Sequence, residues 1–249
     1  MRIGNGIAAL PITSVMMGRT ETIYPAVLWD EEQVLLIDTG YPGQLDLFRQ
    51  AFAEAGLSLE KLNRIIITHQ DLDHIGSLPA LVALSPGTIA VNASEVEKPY
   101  IQGEKPLAKL TPEAIAKAVA SMPPEVPDEW RQKFRHTLEH PPRAGVDRVL
   151  TYGEELAEYG GLVVIGTPGH TPGHISLYHK PSKTLIAGDA MIVVDGQLYG
   201  PPPQYAYDIE QAKLSLRQLT SFDIETVVCY HGGVFQNNPN ARIAEIIRE

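Results

Sequence analysis

Short apolar runs, each ended by turn or polar residues, set the rhythm of the chain. Residues 22–37 alternate and then run apolar, TIYPAVLWD followed by QVLLID, which predicts adjacent strands turned at Asp30-Glu31-Glu32. Gly40 to Gly43 breaks the chain. LDLFRQAFAEAG follows at helical spacing and stops at Gly56. RIIIT (64–68) is a β-branched run and predicts a buried strand with a polar cluster at its carboxyl end. SLPALVAL predicts a helix up to Ser85-Pro86-Gly87, and TIAVN another strand. DRVLTY, LVVIGT, HISLYH, KTLIAGD and TVVCYH read as strands. IEQAKLSLRQLTSF reads as one amphipathic helix and NARIAEIIRE as a closing helix. No repeat recurs at a fixed period, but strands, a polar cluster and a helix follow one another in each half.

Between Pro99 and Pro142 the texture changes. Prolines recur at 106, 112, 123, 124, 127, 141 and 142, and charge density rises. Helices fit at PEAIAKAVA and PDEWRQKFRHTL. The apolar content is too thin for a separate core, so a helical cap inserted into a single domain (1–249) is expected at about 99–142. The 249 residues suffice for one large interior. Net charge is −10 with no dense Lys/Arg stripe, which argues against a nucleic-acid partner. The single cysteine, Cys229, excludes an internal disulfide framework and a cysteine-based zinc site, and its place in a strand run predicts a buried, inert thiol. MRIGNGIAALPI does not read as a signal peptide, and no apolar run approaches the ~18 residues of a membrane span. The expectation is a cytoplasmic protein with a small-molecule substrate and no membrane partner, its oligomeric state open, a homodimer included.

Five polar sites follow directly on strand runs: Asp38 after VLLI, residues 69–74 after RIIIT, His170 after LVVIGTPG, Asp189 after TLIAG, and His231 after TVVCY. THQDLDH (68–74) holds two His and two Asp, a metal-capable density. The other clusters are too far away in sequence for a local motif, so only the fold can unite them. The simpler readings are local. The 69–74 acids could begin and cap a helix. His170 could be a turn residue between Pro168 and Pro172, and Asp38 a turn residue before Gly40.

Taken together, LIDTG (36–40), THQDLDHIG (68–76), TPGHTPGH (167–174), AGD (187–189) and YHGG (230–233) resemble the metallo-β-lactamase superfamily, near its lactonase and glyoxalase II branch, in order and separation over nearly the whole chain. The resemblance implies an α/β fold, an αββα four-layer sandwich of two mixed β-sheets flanked by helices. It also implies a centre of two divalent ions, zinc first, at one sheet edge. Carried over residue by residue, the first ion takes His69, Asp71 and His170, the second takes Asp73, His74 and His231, and Asp189 bridges them. Asp38 supports the metal histidines.

The implied activity is hydrolysis by a metal-bound hydroxide, with Asp73 as a catalytic residue, on a small lactone, thioester or ester. The alternatives are a small phosphodiester hydrolase or a non-hydrolytic iron- or metal-binding protein. Asp71 departs from the family's His-x-His-x-Asp-His. A carboxylate is the harder ligand and admits manganese or iron beside zinc. It also brings the charge of the site to neutrality: three carboxylates and one hydroxide balance two divalent ions, a weaker Lewis acid than a histidine would leave. His174 is expected to be structural, and His136, His140 and His179 to lie at the surface. Tyr199, Tyr205 and Tyr207 in YGPPPQYAYD line a pocket, donate to a substrate oxygen or simply pack.

Overall fold

The computed structural model describes residues 1–249 except 17 and 18. The first half runs β1 (Arg2–Gly4), β2 (Ile7–Ala9), the β3–β4 hairpin (Ile12–Met16 and Arg19–Ile23), β5 (Ala26–Trp29), β6 (Val34–Ile37), α1 (Leu45–Glu54), β7 (Arg64–Ile67), α2 (Leu72–Ile75), α3 (Leu78–Val82) and β8 (Ala90–Ser94). The expected cap segment then supplies α4 (Lys98–Ile101), α5 (Pro112–Ala120) and α6 (Asp128–Glu139), before β9 (Arg148–Leu150). The second half holds β10 (Glu155–Leu156), β11 (Leu162–Gly166), β12 (Ile175–His179), β13 (Thr184–Gly188), the β14–β15 hairpin (Ile192–Val194 and Gln197–Tyr199), α7 (Ile209–Ser215), β16 (Thr226–Cys229), β17 (Gly233–Phe235) and α8 (Pro239–Ile246).

Two mixed sheets result. One has the order β1-β2-β5-β6-β7-β8-β9, the other β10-β11-β12-β13-β16-β17. β6 through β9 run parallel, as do β13 and β16; the remaining pairs within both sheets are antiparallel. The period of two along each strand assigns the layers. Leu35 and Ile37 on β6 meet Leu162 and Val164 on β11, Leu177 on β12 and Ile186 on β13 between the sheets. Val34 and Leu36, from the same β6, face outward onto Phe48 and Phe52 of α1 and Leu78 and Leu81 of α3. On the far side, Leu185 and Val227 pack against Leu216, Ile243 and Ile246. The helices thus cover both outer faces and the expected αββα sandwich stands. Strands buried on both faces explain the unbroken apolar runs that made them legible.

Some elements differ from expectation. TIYPAVLWD is two strands: Pro25 cannot donate, and the chain leaves the β3–β4 hairpin there to enter the large sheet at Ala26. IEQAKLSLRQLTSF is α-helical only to Ser215 and tightens to a 3₁₀ turn through Ser221. β1, β2, β17 and the two strands of the β14–β15 hairpin, three residues each, are too short for a reliable alternation signal. His179 is buried, with Nδ1 2.7 Å from the Ser182 hydroxyl, against the surface placement expected from its polarity. His136 and His140 are exposed on and after α6. Cys229 is fully buried and its thiol is pushed up by burial. Among the described residues, no helix is long and apolar enough to cross a membrane.

Candidate metal centre

The carboxyl ends of β6, β7, β11, β13 and β16 open on one rim, and each delivers one of the five polar sites. Asp38 leaves β6 with φ 66°, a conformation that costs a non-glycine residue on the order of 1 kcal/mol or more. Its carboxylate repays the strain. It accepts from the Thr68 amide (2.8 Å) and hydroxyl (2.8 Å), and from His74 Nδ1 (2.9 Å). Thr68 Oγ1, having donated to Asp38, is left to accept from His69 Nδ1 at 3.0 Å. One buried carboxylate therefore holds Nδ1 of both rings as a donor and turns both Nε2 atoms into the site. The plain-turn reading of Asp38 does not survive this.

His69 Nε2, His74 Nε2 and Asp189 Oδ1 are buried and have no hydrogen-bond partner among the described residues. Unpaired buried polar atoms are costly, so convergence of three of them on one gap fits a cation site. The spacings fit as well. Donors ~2.0–2.2 Å from a tetrahedral ion lie ~3.3–3.6 Å from each other. Asp73 Oδ2 is 3.1 Å from His231 Nε2 and 3.6 Å from His74 Nε2. Asp189 is 3.5 Å from His74 Nε2 and 3.6 Å from His231 Nε2. On the other side, Asp189 Oδ2 is 3.3 Å from His170 Nε2 and 3.9 Å from His69 Nε2; Asp71 Oδ2 is 3.0 Å and 3.3 Å from the same two nitrogens. All seven side chains singled out by sequence are thus in one cluster. Two groups could each hold an ion, Asp73-His74-Asp189-His231 and His69-His170-Asp189.

Asp71 stands at the N-cap of α2, but its side chain makes no capping bond. The carboxylate turns instead to His69, His170 and the Lys109 ammonium, which rises from the turn between α4 and α5. Burial alone would push the Asp71 carboxyl up; His69, His170 and Lys109 outweigh it and hold it well below the usual range. Burial likewise would push His231 down, but Asp189 and Asp73 raise it to about 10, and His74 is raised by Asp38, Asp189 and Asp73. His69 is held well below its ordinary value, by burial first and by His74 next.

Several supporting residues were not foreseen. Glu97, buried after β8, accepts four hydrogen bonds: from the Gln70 amide and side chain (both 2.9 Å), the Thr171 hydroxyl (2.8 Å) and the Gly173 amide (2.7 Å). It thereby clamps the loop of His69 and Asp71 to the loop of His170. Gln70 Oε1 accepts in turn from the Ala108 amide (2.5 Å), anchoring the turn that carries Lys109. The Tyr230 ring lies on His74 (centroids 3.8 Å apart) and its hydroxyl donates to the Asp73 carbonyl at 2.6 Å. Glu21 faces His231 Nδ1 at 3.5 Å and accepts from the Tyr41 hydroxyl at 3.1 Å. None of these carries a local signature; each matters only through contacts made across the fold. His174 is structural: Nε2 accepts from the Asp189 amide (3.0 Å) and Nδ1 pairs with Thr167 Oγ1 (2.8 Å), while burial pushes the ring down to about 3. Gly188 must stay small beside it, since φ is 54° and a Cβ would stand 2.7 Å from His174 Nε2. Tyr199, Tyr205 and Tyr207 are exposed, so they do not simply pack. Tyr205 and Tyr207 touch the site by backbone only, through the Tyr205 carbonyl to Lys109 and the Tyr207 amide to the His170 carbonyl.

The sequence comparisons decide the family: the model of the metallo-β-lactamase superfamily matches residues 23–231. The chain belongs to that superfamily. It is a hydrolase of the metallo-β-lactamase fold. It is 29% identical over 219 residues to probable metallo-hydrolase YflN of Bacillus subtilis, covering 80% of this chain and 75% of that one. It is 26% identical over 170 residues to a hydroxyacylglutathione hydrolase of Rhodobacter capsulatus, covering 68% of this chain and 47% of that one. Metallo-β-lactamase family protein TTHA1429 from Thermus thermophilus superposes with a TM-score of 0.69 over 99% of this chain and 80% of that one, at 24% identity.

Proposed function

We infer that this superfamily member hydrolyses a small lactone, thioester or ester at a centre with capacity for two divalent ions that share Asp189. The observation that carries the reading is the pair of donor sets at tetrahedral spacing, with His69 Nε2, His74 Nε2 and Asp189 Oδ1 left unpaired. Divalent ions bound there supply an activated water and polarise the scissile carbonyl. Zinc suits the four histidines, and the hard oxygen of Asp71 also admits manganese or iron.

The chain's own residues do the rest. His69, Asp71 and His170 hold the first position; Asp73, His74 and His231 hold the second. The Asp73 carboxylate, partly open to solvent, is placed to orient the attacking water and to take its proton. Asp38 and Glu97 keep the imidazoles and their loops in register. The segment 99–142 acts as a cap that sets substrate size. Its turn reaches Asp71 and His170 through Lys109, and beside that turn lies an open hollow of about 650 Å³ lined by Tyr100, Leu107, Leu110, Ile115 and Tyr207. None of the seven candidate ligands lines this hollow. It adjoins them only through the Lys109 turn and Tyr207, which suits an acyl tail better than a reacting carbonyl. The relative named hydroxyacylglutathione hydrolase supports the thioester end of the range.

The test is a chromogenic panel of lactones, thioesters, esters and phosphodiesters, run before and after chelation and with zinc, manganese or iron restored. Turnover of an acyl substrate that chelation abolishes and metal restores is expected. Filling the hollow with Leu110→Trp should shift preference toward shorter acyl groups. Turnover confined to phosphodiesters, or an absence of turnover with every metal, would contradict the reading.

A further inference from the structure

Lys109 stands where the first ion would stand. Its Nζ contacts Asp71 Oδ2, lies 3.0 Å from His170 Nε2 and donates to the Tyr205 carbonyl at 3.0 Å. An ammonium has three protons to donate; Asp71 and the Tyr205 carbonyl take two, and His170 takes the third in the tautomer that leaves Nε2 unprotonated. The turn that carries it is pinned independently. The Ala108 amide next to it donates to Gln70 Oε1, and the Gln70 side chain is itself held by the buried Glu97. The lysine is therefore delivered by backbone anchored to the very loop that carries His69 and Asp71.

The geometry points to Lys109 as the resident cation of the first position, so that the resting protein binds one divalent ion, at Asp73, His74, Asp189 and His231, with the lysine ammonium as its second positive centre. This rests on the metal-dependent reading above and goes beyond it. It also accounts for Asp71. Three carboxylates converge on the site, Asp71, Asp73 and Asp189. One divalent ion and one ammonium balance them. A histidine at 71 would leave Lys109 facing imidazoles and an ion with no counter-charge of its own. Asp71 and Lys109 are thus one device: the carboxylate that departs from the family pattern is paired to a cation that the turn between α4 and α5 supplies. The other set has no such occupant: among the described residues no lysine or arginine forms an ion pair with Asp73, His74, Asp189 or His231.

The experiment is equilibrium dialysis of the full-length, metal-free chain against rising zinc, with elemental analysis, and a parallel titration with cobalt(II) followed by its visible spectrum. Wild type should take up one equivalent well before a second, in two resolved steps. Lys109→Met, which keeps the length of the side chain and removes its charge, should tighten the second equivalent by roughly 10-fold or more, the scale on which partners of metal ligands act. Asp71→His, which removes the lysine's counter-charge and adds a softer donor, should also bind two. Should Lys109→Met fail to fold, Asp71→His carries the test alone. Uptake of two equivalents in a single step by wild type, with both binding constants unchanged in the variants, overturns the assignment of Lys109 while leaving the metal-dependent reading intact. No uptake by any of the three forms overturns both.

Discussion

The two halves of the centre use similar donors at similar spacing and differ in what neutralises them. Around His69, Asp71 and His170 the turn between α4 and α5 provides a lysine. Around Asp73, His74 and His231 there is no lysine or arginine contact among the described residues, and the charge falls on the histidines: His231 is raised to about 10 and His74 well above its usual value. The supports differ too. Asp38 braces both sides, His74 directly and His69 through Thr68, but Tyr230 supports only the second, and Glu97 and Gln70, which also tie down the Lys109 turn, only the first. In one site, then, ligand identity alone does not say where an ion binds; the neighbouring charge has to be counted with it.

Removing what the halves share should have the largest effect. Asp189→Ala takes a donor from both sets, and activity of the metal-loaded enzyme should fall by more than the ~100-fold at the upper end of losses for residues that merely support ligands. Next is Asp38→Ala, which frees His74 directly and His69 through Thr68. Metal affinity should drop roughly 10- to 100-fold, and a chelator-competition assay that finds both sides weakened would confirm the shared brace. Glu97→Gln should act on the first side only. Burial raises the Glu97 carboxyl against the pull of its donors, Gln70 first. The amide keeps one acceptor oxygen but sets an NH₂ against donors, so thermal unfolding should show a loss of about 1–3 kcal/mol. Metal binding at the second side should be little changed. Smallest is Glu21→Gln. Glu21 is partly exposed and 3.5 Å from His231, so the change in affinity should fall short of that of Asp38→Ala in the same assay.

The histidines give the comparison a pH dependence. A raised pKa means that His74 and His231 carry protons in the metal-free protein at neutral pH. A ligating imidazole must be neutral, so binding releases them. Affinity of the second side should therefore rise with pH through the neutral range toward about 10, with proton release measurable by calorimetry in buffers of different ionisation enthalpy.

Much of this was legible in the residues. The strands β6, β7, β11, β13 and β16 announce themselves because they are buried on both faces, and the polar residues that end them are the candidate ligands. The metallo-β-lactamase fold followed from five motifs in order. What escaped was whatever depends on a contact between distant segments. Lys109 is one lysine in a proline-rich stretch, Glu97 one of many acids, and Gln70 a neutral residue among ligands; nothing local marks them. His179 was misplaced for the same reason: its burial comes from β12 lying inside the second sheet, not from its neighbours in sequence. Asp71 was conspicuous, but its counter-charge was not.

The most direct test is a crystal structure of the zinc-loaded protein with an anomalous difference map recorded at the zinc edge. The account predicts one dominant peak bounded by Asp73, His74, Asp189 and His231, with Lys109 Nζ still between Asp71 and His170. Two peaks of equal height, with Lys109 turned out of the site, would contradict it.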